Sequence, residues 1–450
     1  MHADGENSLH ANILSDTSIS SFLGMEWHMR PFLNRRLRSL FRFLVIGPWL
    51  IGCGLTPAAA SGRKPRIRAI TAFVRIEPSQ YRQQIEEAVT MLRKAKAAFE
   101  KGDYEVQTIR ITTQPFTRYI SDPPVPEALE FFKRLDELSK KDSFMLNIGS
   151  LTLGGSSDAA KIALLSQILA TTRVNASVVV AGDDGVQWNA IRAAAQVVKY
   201  VENHSSNGAN NFDFAAVAIV PPNVPFFPAS NHDGSGHQFS VGWEAGAFVG
   251  DVLASANRDM QATRKLLSQE LEQQARLVDA IAKQVEKNSG WTYMGLDPTP
   301  APGMDSSIGA AIEALTGVKF GSSGTLSAAA IITEAERSIS VKRIGYSGLM
   351  LPVLEDPVLS ERWSEGTFDL DSLLAYSAVC GTGFDAIPLP GDVSQEQLER
   401  IMGDMASLAF KWHKPLTARL IPAPGKKAGD KTDFDFGIAK FPNTMLKPLR

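Results

Sequence analysis

The sequence predicts an α/β fold in which one sheet of about ten strands is interleaved with helices. Three observations point to it. From Arg63 onward, short β-rich runs alternate with amphipathic helical runs. Several of the strand runs are apolar throughout, as strands covered on both faces must be. No internal repeat or low-complexity linker interrupts the alternation after Gly62. Such a pattern argues for one parallel sheet or barrel rather than segregated domains.

The elements follow in order. "RIRAITAFVRI" (66–76) reads as a strand, and 79–103 as a helix with Ile85, Val89, Leu92 and Ala95 at helical spacing and Gly102 closing it. "YEVQTIRITTQPF" (104–116) is the next strand, "PVPEALEFFKRLDELSKKD" the next helix, and "SFMLNIGS" (143–150) a third strand. A helix with a Ser N-cap signal, a strand over 175–182, a helix over 187–203 and a strand over 212–220 continue the series. A long helical stretch from about Glu244 to Lys287 is interrupted once. "GWTYMGLD" (290–297), "GVKFGSSG", "RIGYSGLMLPV" (343–353), "FDAIPLP" (384–390) and "LTARLIPAP" (416–424) complete the strand candidates.

Residues 1–62 read differently from the single domain expected over 63–450. An arginine-rich stretch without acids precedes an apolar run of about 13 residues, Phe43 to Leu55, and then "TPAAASG". This is the order of a secretory signal. The run is too short for a bilayer core, which needs ~20 residues. Two processing readings compete: Leu50-Ile51-Gly52-Cys53 as a lipobox with Cys53 lipidated, or Ala58-Ala59-Ala60 as a cleavage site. The twin Arg35-Arg36 is a weak pointer to folded export. The expected place is therefore exported, periplasmic or lipid-anchored; a start at Met25 or Met29 would make the segment before it an artefact, and a mis-assigned leader would make the protein cytoplasmic. With 2 Cys in all, Cys380 has no partner once Cys53 is lipidated or removed, which excludes a disulfide framework. A net charge of -2 gives no basic field for nucleic acid. A small-molecule ligand is the expected partner, membrane contact is expected only through a lipid anchor, and a homo-oligomer is left open.

In parallel α/β architectures ligands gather at the carboxyl ends of strands. Polar residues recur there. "NIGS" supplies Asn147 and Ser150, and "PPNVPFFPASNHDGSGH" supplies His232, Asp233 and His237. "GLDPTPAPGMDSS" supplies Asp297, and "KFGSSGT" supplies Ser323 and Thr325 as an anion cradle without the P-loop lysine. "LPVLED" supplies Glu355 and Asp356, and "FDAIPLPGD" supplies Asp385 and Asp392. Arg419 and Lys426 form a cluster suited to a carboxylate or phosphate. Each has a structural rival. Asp297 before Pro298 can start a turn, Asp392 can cap a helix, and the two histidines have no zinc-motif spacing. Cys380 stands where "SLLAYSAVC" reads as a helix ending at Gly381, a place that disfavours thiolate. No cofactor or metal motif identifies itself.

"ANNFDFAAVAIVPPNVPFFPASNHDG", "FSVGWE", "LDPTPAP", "GLMLPVLED", "YSAVCGTGFDAIPLPGD" and "KPLTARLIPAPGKKAGDKTDFDF" together resemble the uncharacterised bacterial and archaeal domain of unknown function 711 family, from about Arg66 onward. The resemblance implies a ten-stranded α/β barrel similar to the pyruvate formate-lyase class. It carries over the motif positions His232, Asp297, Glu355, Asp356, Cys380, Asp385, Arg419 and Lys426 without assigning them an activity. A glycyl-radical reading needs an R-V-x-G-type glycine, and "FDFGIAKFPNTMLKPLR" shows none. The sequence thus leads to an enzyme acting on a small polar or anionic molecule by acid/base chemistry, a hydrolase or a lyase. His232, Asp297, Glu355, Asp356, Cys380 and Asp385 are the catalytic candidates, and Asn147, Ser150, Ser323, Thr325, Arg419 and Lys426 the ligand-binding ones. The alternatives are an exported, lipid-anchored solute-binding protein and a metal-assisted hydrolase.

Overall fold

The computed structural model describes residues 62–120, 125–154, 158–436 and 441–449. The leader, Cys53 and the Ser N-cap before residue 158 lie outside the described residues. The strands are β1 (Arg66–Val74), β2 (Val106–Thr113), β3 (Met145–Leu151), β4 (Asn175–Gly182), the short β5 (Gly185–Val186), β6 (Phe214–Ala218), β7 (Gln238–Glu244), β8 (Thr292–Ala301), β9 (Gly383–Pro390) and β10 (Leu416–Ala423). They form one ten-stranded sheet in the order β8-β7-β1-β2-β3-β4-β6-β10-β9, with β5 paired to β4. The expected strand number is met.

The sheet is mixed rather than parallel. β1, β2, β3, β4 and β6 run parallel to one another. β7 joins β1 antiparallel and carries β8 parallel to itself. At the other side β10 joins β6 antiparallel and carries β9 parallel. Two antiparallel junctions therefore flank a five-stranded parallel block.

The helices are α1 (Tyr81–Lys101), α2 (Val125–Asp142), α3 (Asp158–Thr171), α4 (Trp188–His204), α5 (Gly246–Ser255), α6 (Met260–Ser289), α7 (Ile308–Thr316), α8 (Thr325–Arg337), α9 (Pro357–Glu365), α10 (Leu370–Val379) and α11 (Gln395–Trp412). α1 buries Ile85, Val89, Leu92 and Ala95 and ends at Gly102, the stripe and stop read from its spacing. The break in the long helical stretch falls between α5 and α6, where Asp259 caps α6 through the amides of Gln261 and Ala262. Among the described residues no helix is long and apolar enough to cross a membrane.

Four local readings are corrected. "FSVGWE" is β7, hidden because its glycine and serine weaken the strand pattern. "GVKFGSSG" is no strand: Gly317 closes α7 in the left-handed conformation, and the run turns directly into α8. "RIGYSGLMLPV" forms no ladder and makes one isolated bridge from Arg343 to Leu296. Ser394, not Asp392, caps α11, in a reciprocal capping box with Gln397.

The irregular segment 342–354 nonetheless matters to the sheet. At its start Leu296 donates to the Lys342 carbonyl and Ile344 donates back to Leu296, both at 2.9 Å. At its end Val353 and Leu354 donate to the carbonyls of Asp385 and Ala386 at 3.2 and 3.3 Å. It thus satisfies backbone groups on both end strands, β8 and β9, which would otherwise be open edges.

Candidate active site

A cavity of about 360 Å³ opens among the strands, a volume at the low end of small-molecule sites. Its lining includes Arg66 and Arg68 from β1, Thr108 and Arg110 from β2, and Trp243 and Glu244 from β7. Asp297 and Thr299 of β8, Glu355, and Arg419 of β10 complete the polar part. Phe212, Phe226, Phe227 and Met350 supply apolar wall. The sheet explains this composition. The cavity meets the parallel block at its amino ends and β7 and β8 at their carboxyl ends, because the two sets run oppositely. The expectation of carboxyl strand ends therefore holds for β8 and is reversed for β1 and β2.

Three arginines are held by carboxylates. Arg66 reaches Glu244 and Asp305. Arg68 donates to Glu244 at 3.2 Å and to Glu355 at 3.0 Å. Arg419 donates to Glu355 and, through Nε, to Asp385 Oδ1 at 2.7 Å. Its guanidinium also lies 4.3 Å from the Phe212 ring centroid. The two carboxylates on Arg419 part company. Burial alone would raise Glu355, but Arg419 and Arg68 together hold it below the usual range. Burial, joined by the Glu355 charge, pushes Asp385 up to about 6 against Arg419 and, after it, Arg68, and its Oδ2 is buried with no hydrogen-bond partner among the described residues.

Asp297 is the other carboxyl in the wall. Its Oδ1 accepts from the Thr299 amide at 3.1 Å and the Thr299 hydroxyl at 2.6 Å. Burial nevertheless raises it above the ordinary carboxylate value. Gly345 runs beside it with a φ of 101°, and a Cβ there would collide with Asp297 Oδ2. Behind it stands Glu336 of α8, fully buried, with neither carboxylate oxygen hydrogen-bonded among the described residues. Burial first, and then the Asp297 charge, lift Glu336 well above its ordinary value. Burial thus disfavours ionisation of both carboxyls, and at Glu336 the Asp297 charge adds to it.

The structure brings Asp297, Glu355, Asp385 and Arg419 to this region, with Asp385 just behind the wall. The other candidates stand elsewhere. Asp356, next to Glu355 in sequence, caps α9 through the amides of Val358 and Leu359 and also accepts from Ser307, Ile308 and Gly309. Asn147 donates to the Pro228 carbonyl and accepts from Gly149, and Ser150 pairs with Ser177. Thr325 accepts from the Gly321 amide, closing its own turn, while Ser323 is exposed. Lys426 pairs with Asp433 at 3.0 Å in a surface loop. His232 packs against Phe73 near the carboxyl end of β1, away from Arg66 at the amino end, and burial lowers its imidazole to about 4. Cys380 is the residue that ends α10; its thiol donates to the Tyr376 carbonyl. Neither His232 nor Cys380 lines the cavity that holds Asp297. Asp233 and His237 are exposed while His232 is buried, and among the described residues no group of three His, Cys, Asp or Glu side chains is placed to hold a metal.

Sequence reasoning missed Arg66, Arg68, Arg110, Glu244 and Glu336. The signal was present in "RIRAITAF" and "QTIRITT", where arginine stands inside a run that reads as a strand. A strand covered on both faces has no solvent for such a residue, so its charge must meet a partner or a ligand.

The comparisons with known proteins agree on kinship. The chain is 30% identical over 408 residues to a UPF0210 protein of Pyrobaculum aerophilum, covering 82% of this chain and 88% of that one. It is 27% identical to a UPF0210 protein of Clostridium acetobutylicum, over 75% of this chain and 79% of that one. A UPF0210 protein of Methanocaldococcus jannaschii is 28% identical over 60% of this chain and 62% of its own. With a family model matching residues 61–435, the chain belongs to the family described as Uncharacterised ACR (DUF711), which spans archaea and bacteria.

Proposed function

We propose that the cavity is the active site of an enzyme that acts on a small organic anion by proton transfer, in a hydrolysis or a lyase-type elimination. Asp297 is the acid–base group, backed by Glu336, and the arginines orient the anion. The observation that carries this reading is the Asp297 carboxyl: it lines the cavity, is fixed by Thr299, and resists ionisation while guanidinium groups share the same wall. A general acid or base works best when its proton affinity is tuned toward the working pH, and burial does that here. Glu355 stays ionised and holds Arg419 and Arg68 in place.

The same reading takes the sheet as a closed ten-stranded barrel of the pyruvate formate-lyase type, with segment 342–354 bridging β8 and β9. The two parallel sets meeting antiparallel support it. The leader in the sequence supports an exported, lipid-anchored or periplasmic enzyme. The rival, a solute receptor without catalysis, would use the same arginines.

Asp297→Asn separates the two. Pools of small hydroxy and oxo acids are incubated with the protein and followed by proton NMR. Turnover in the variant should fall ~10²- to 10⁴-fold with ligand affinity retained. Equal binding by both forms with no acid consumed by either would reject the enzyme and leave the receptor.

A further inference from the structure

Arg110 differs from the other arginines of the cavity. Its side chain is buried, yet among the described residues no carboxylate lies within ion-pair distance of it. Its Nε donates to the Thr108 hydroxyl at 2.9 Å and Nη1 to the Pro225 carbonyl at 3.2 Å. Of the five N–H groups of a guanidinium, three are left, including both on Nη2. Burial, and then the like charges of Arg68 and Arg419, push this guanidinium down to about 9, with Glu355 alone opposing. A buried cation without a counter-ion is costly, and the fold offers it only neutral acceptors.

The surroundings describe what would satisfy it. The Arg110 guanidinium lies 5.0 Å from the Phe227 ring centroid, and Phe226, Phe212 and Met350 extend the apolar wall of the cavity. Trp243 lines it too, and its buried indole N–H has no acceptor among the described residues. Arg66, Arg68 and Arg419 each already touch two carboxylates. Among the described residues, Arg110 is the arginine of this lining without a carboxylate partner.

We propose that Arg110 is the anchor of a substrate subsite for a monocarboxylate with an aromatic body, the carboxylate on the free guanidinium edge and the ring against the phenylalanine wall. A planar carboxylate matches the guanidinium fork in a way that a tetrahedral dianion on a single open edge does not. The inference rests on the proposed activity for the meaning of the cavity and deepens it by naming the substrate class. Binding is read without turnover, so an inert protein that still binds the acid rejects the activity and leaves the anchor standing.

The experiment titrates the full chain with phenylacetate, its neutral isostere phenylacetamide, acetate and inorganic phosphate, by calorimetry and by intrinsic tryptophan fluorescence. Phenylacetate should bind with a Kd of order 1 mM or tighter. Phenylacetamide should bind ~10- to 100-fold more weakly, the worth of a charge-assisted hydrogen bond. Acetate should lose affinity for want of the ring, and phosphate should not compete. Arg110→Met should abolish the preference for acid over amide while unfolding stays cooperative. If that variant does not fold, the wild-type acid-to-amide ratio decides alone. Equal affinity for acid and amide, tighter binding of phosphate, or no saturable binding of phenylacetate would each overturn the proposal.

Discussion

Cys380 should alkylate about 10³-fold more slowly in the native protein than in the urea-unfolded chain at pH 8. Two physical facts set that number. The side chain is 0% exposed, and burial pushes its thiol up to about 12. At pH 8 roughly a quarter of an unperturbed thiol is thiolate, whereas a group near 12 is ionised about once in 10⁴ molecules. The nearby Lys414 opposes the shift but is itself spent on the carbonyls of Ser377 and Cys380, each at 2.6 Å. Timed iodoacetamide pulses read by peptide mass spectrometry measure the rate at Cys380 separately from Cys53. Comparable rates in the two states would mean that the thiol is accessible and ionised in the native fold, contrary to its placement as a buried helix terminus.

Arg419→Met should cost about 3–5 kcal/mol of unfolding free energy, the range for breaking one side of a buried ion pair. Arg419 holds two carboxylates at once. Without it Glu355 keeps Arg68, but Asp385 loses its ion-pair partner while remaining wholly buried. Urea unfolding should show a lower midpoint at an unchanged slope. Replacing the whole cluster, with Glu355→Gln and Asp385→Asn added, should recover much of the loss, because the uncompensated charges go with their partner. A single variant as stable as the wild type would show that the carboxylates are neutral in the folded protein and that Arg419 contributes packing alone.

Much of the sheet was legible because burial on both faces writes itself as apolar runs. β1, β2, β4, β6 and β10 fall inside the runs read for them, and β9 begins one residue before its run. The direction of β7 was not legible. Its pairing with β1 is fixed by tertiary contacts such as Arg66 to Glu244, and no local pattern records which way a distant strand runs. That reversal decides which strand ends face the cavity, so the site was sought partly at the wrong rim. Glu355 and Asp356 show the same limit at the scale of one bond. Adjacent acids in "LPVLED" go to an ion cluster and to a helix cap, because Glu355 closes a turn onto the Pro352 carbonyl and Asp356 opens α9. Asp297 was found because it stands at the end of an apolar strand run, and Arg419 because it joins Lys426 in a basic cluster. Arg110 lies inside the strand run, in "QTIRITT", rather than at its end, and so was not singled out.

The Arg66–Glu244 contact spans 178 positions of chain, and the cavity it borders also needs Arg419 and Phe441. Closing so long a loop is slow, and it comes late, after local helices and neighbouring strands have formed. A compound that recognises only the finished cavity has nothing to grip in the folding transition state. It would lengthen the lifetime of the native molecule and leave the speed of its assembly unaltered.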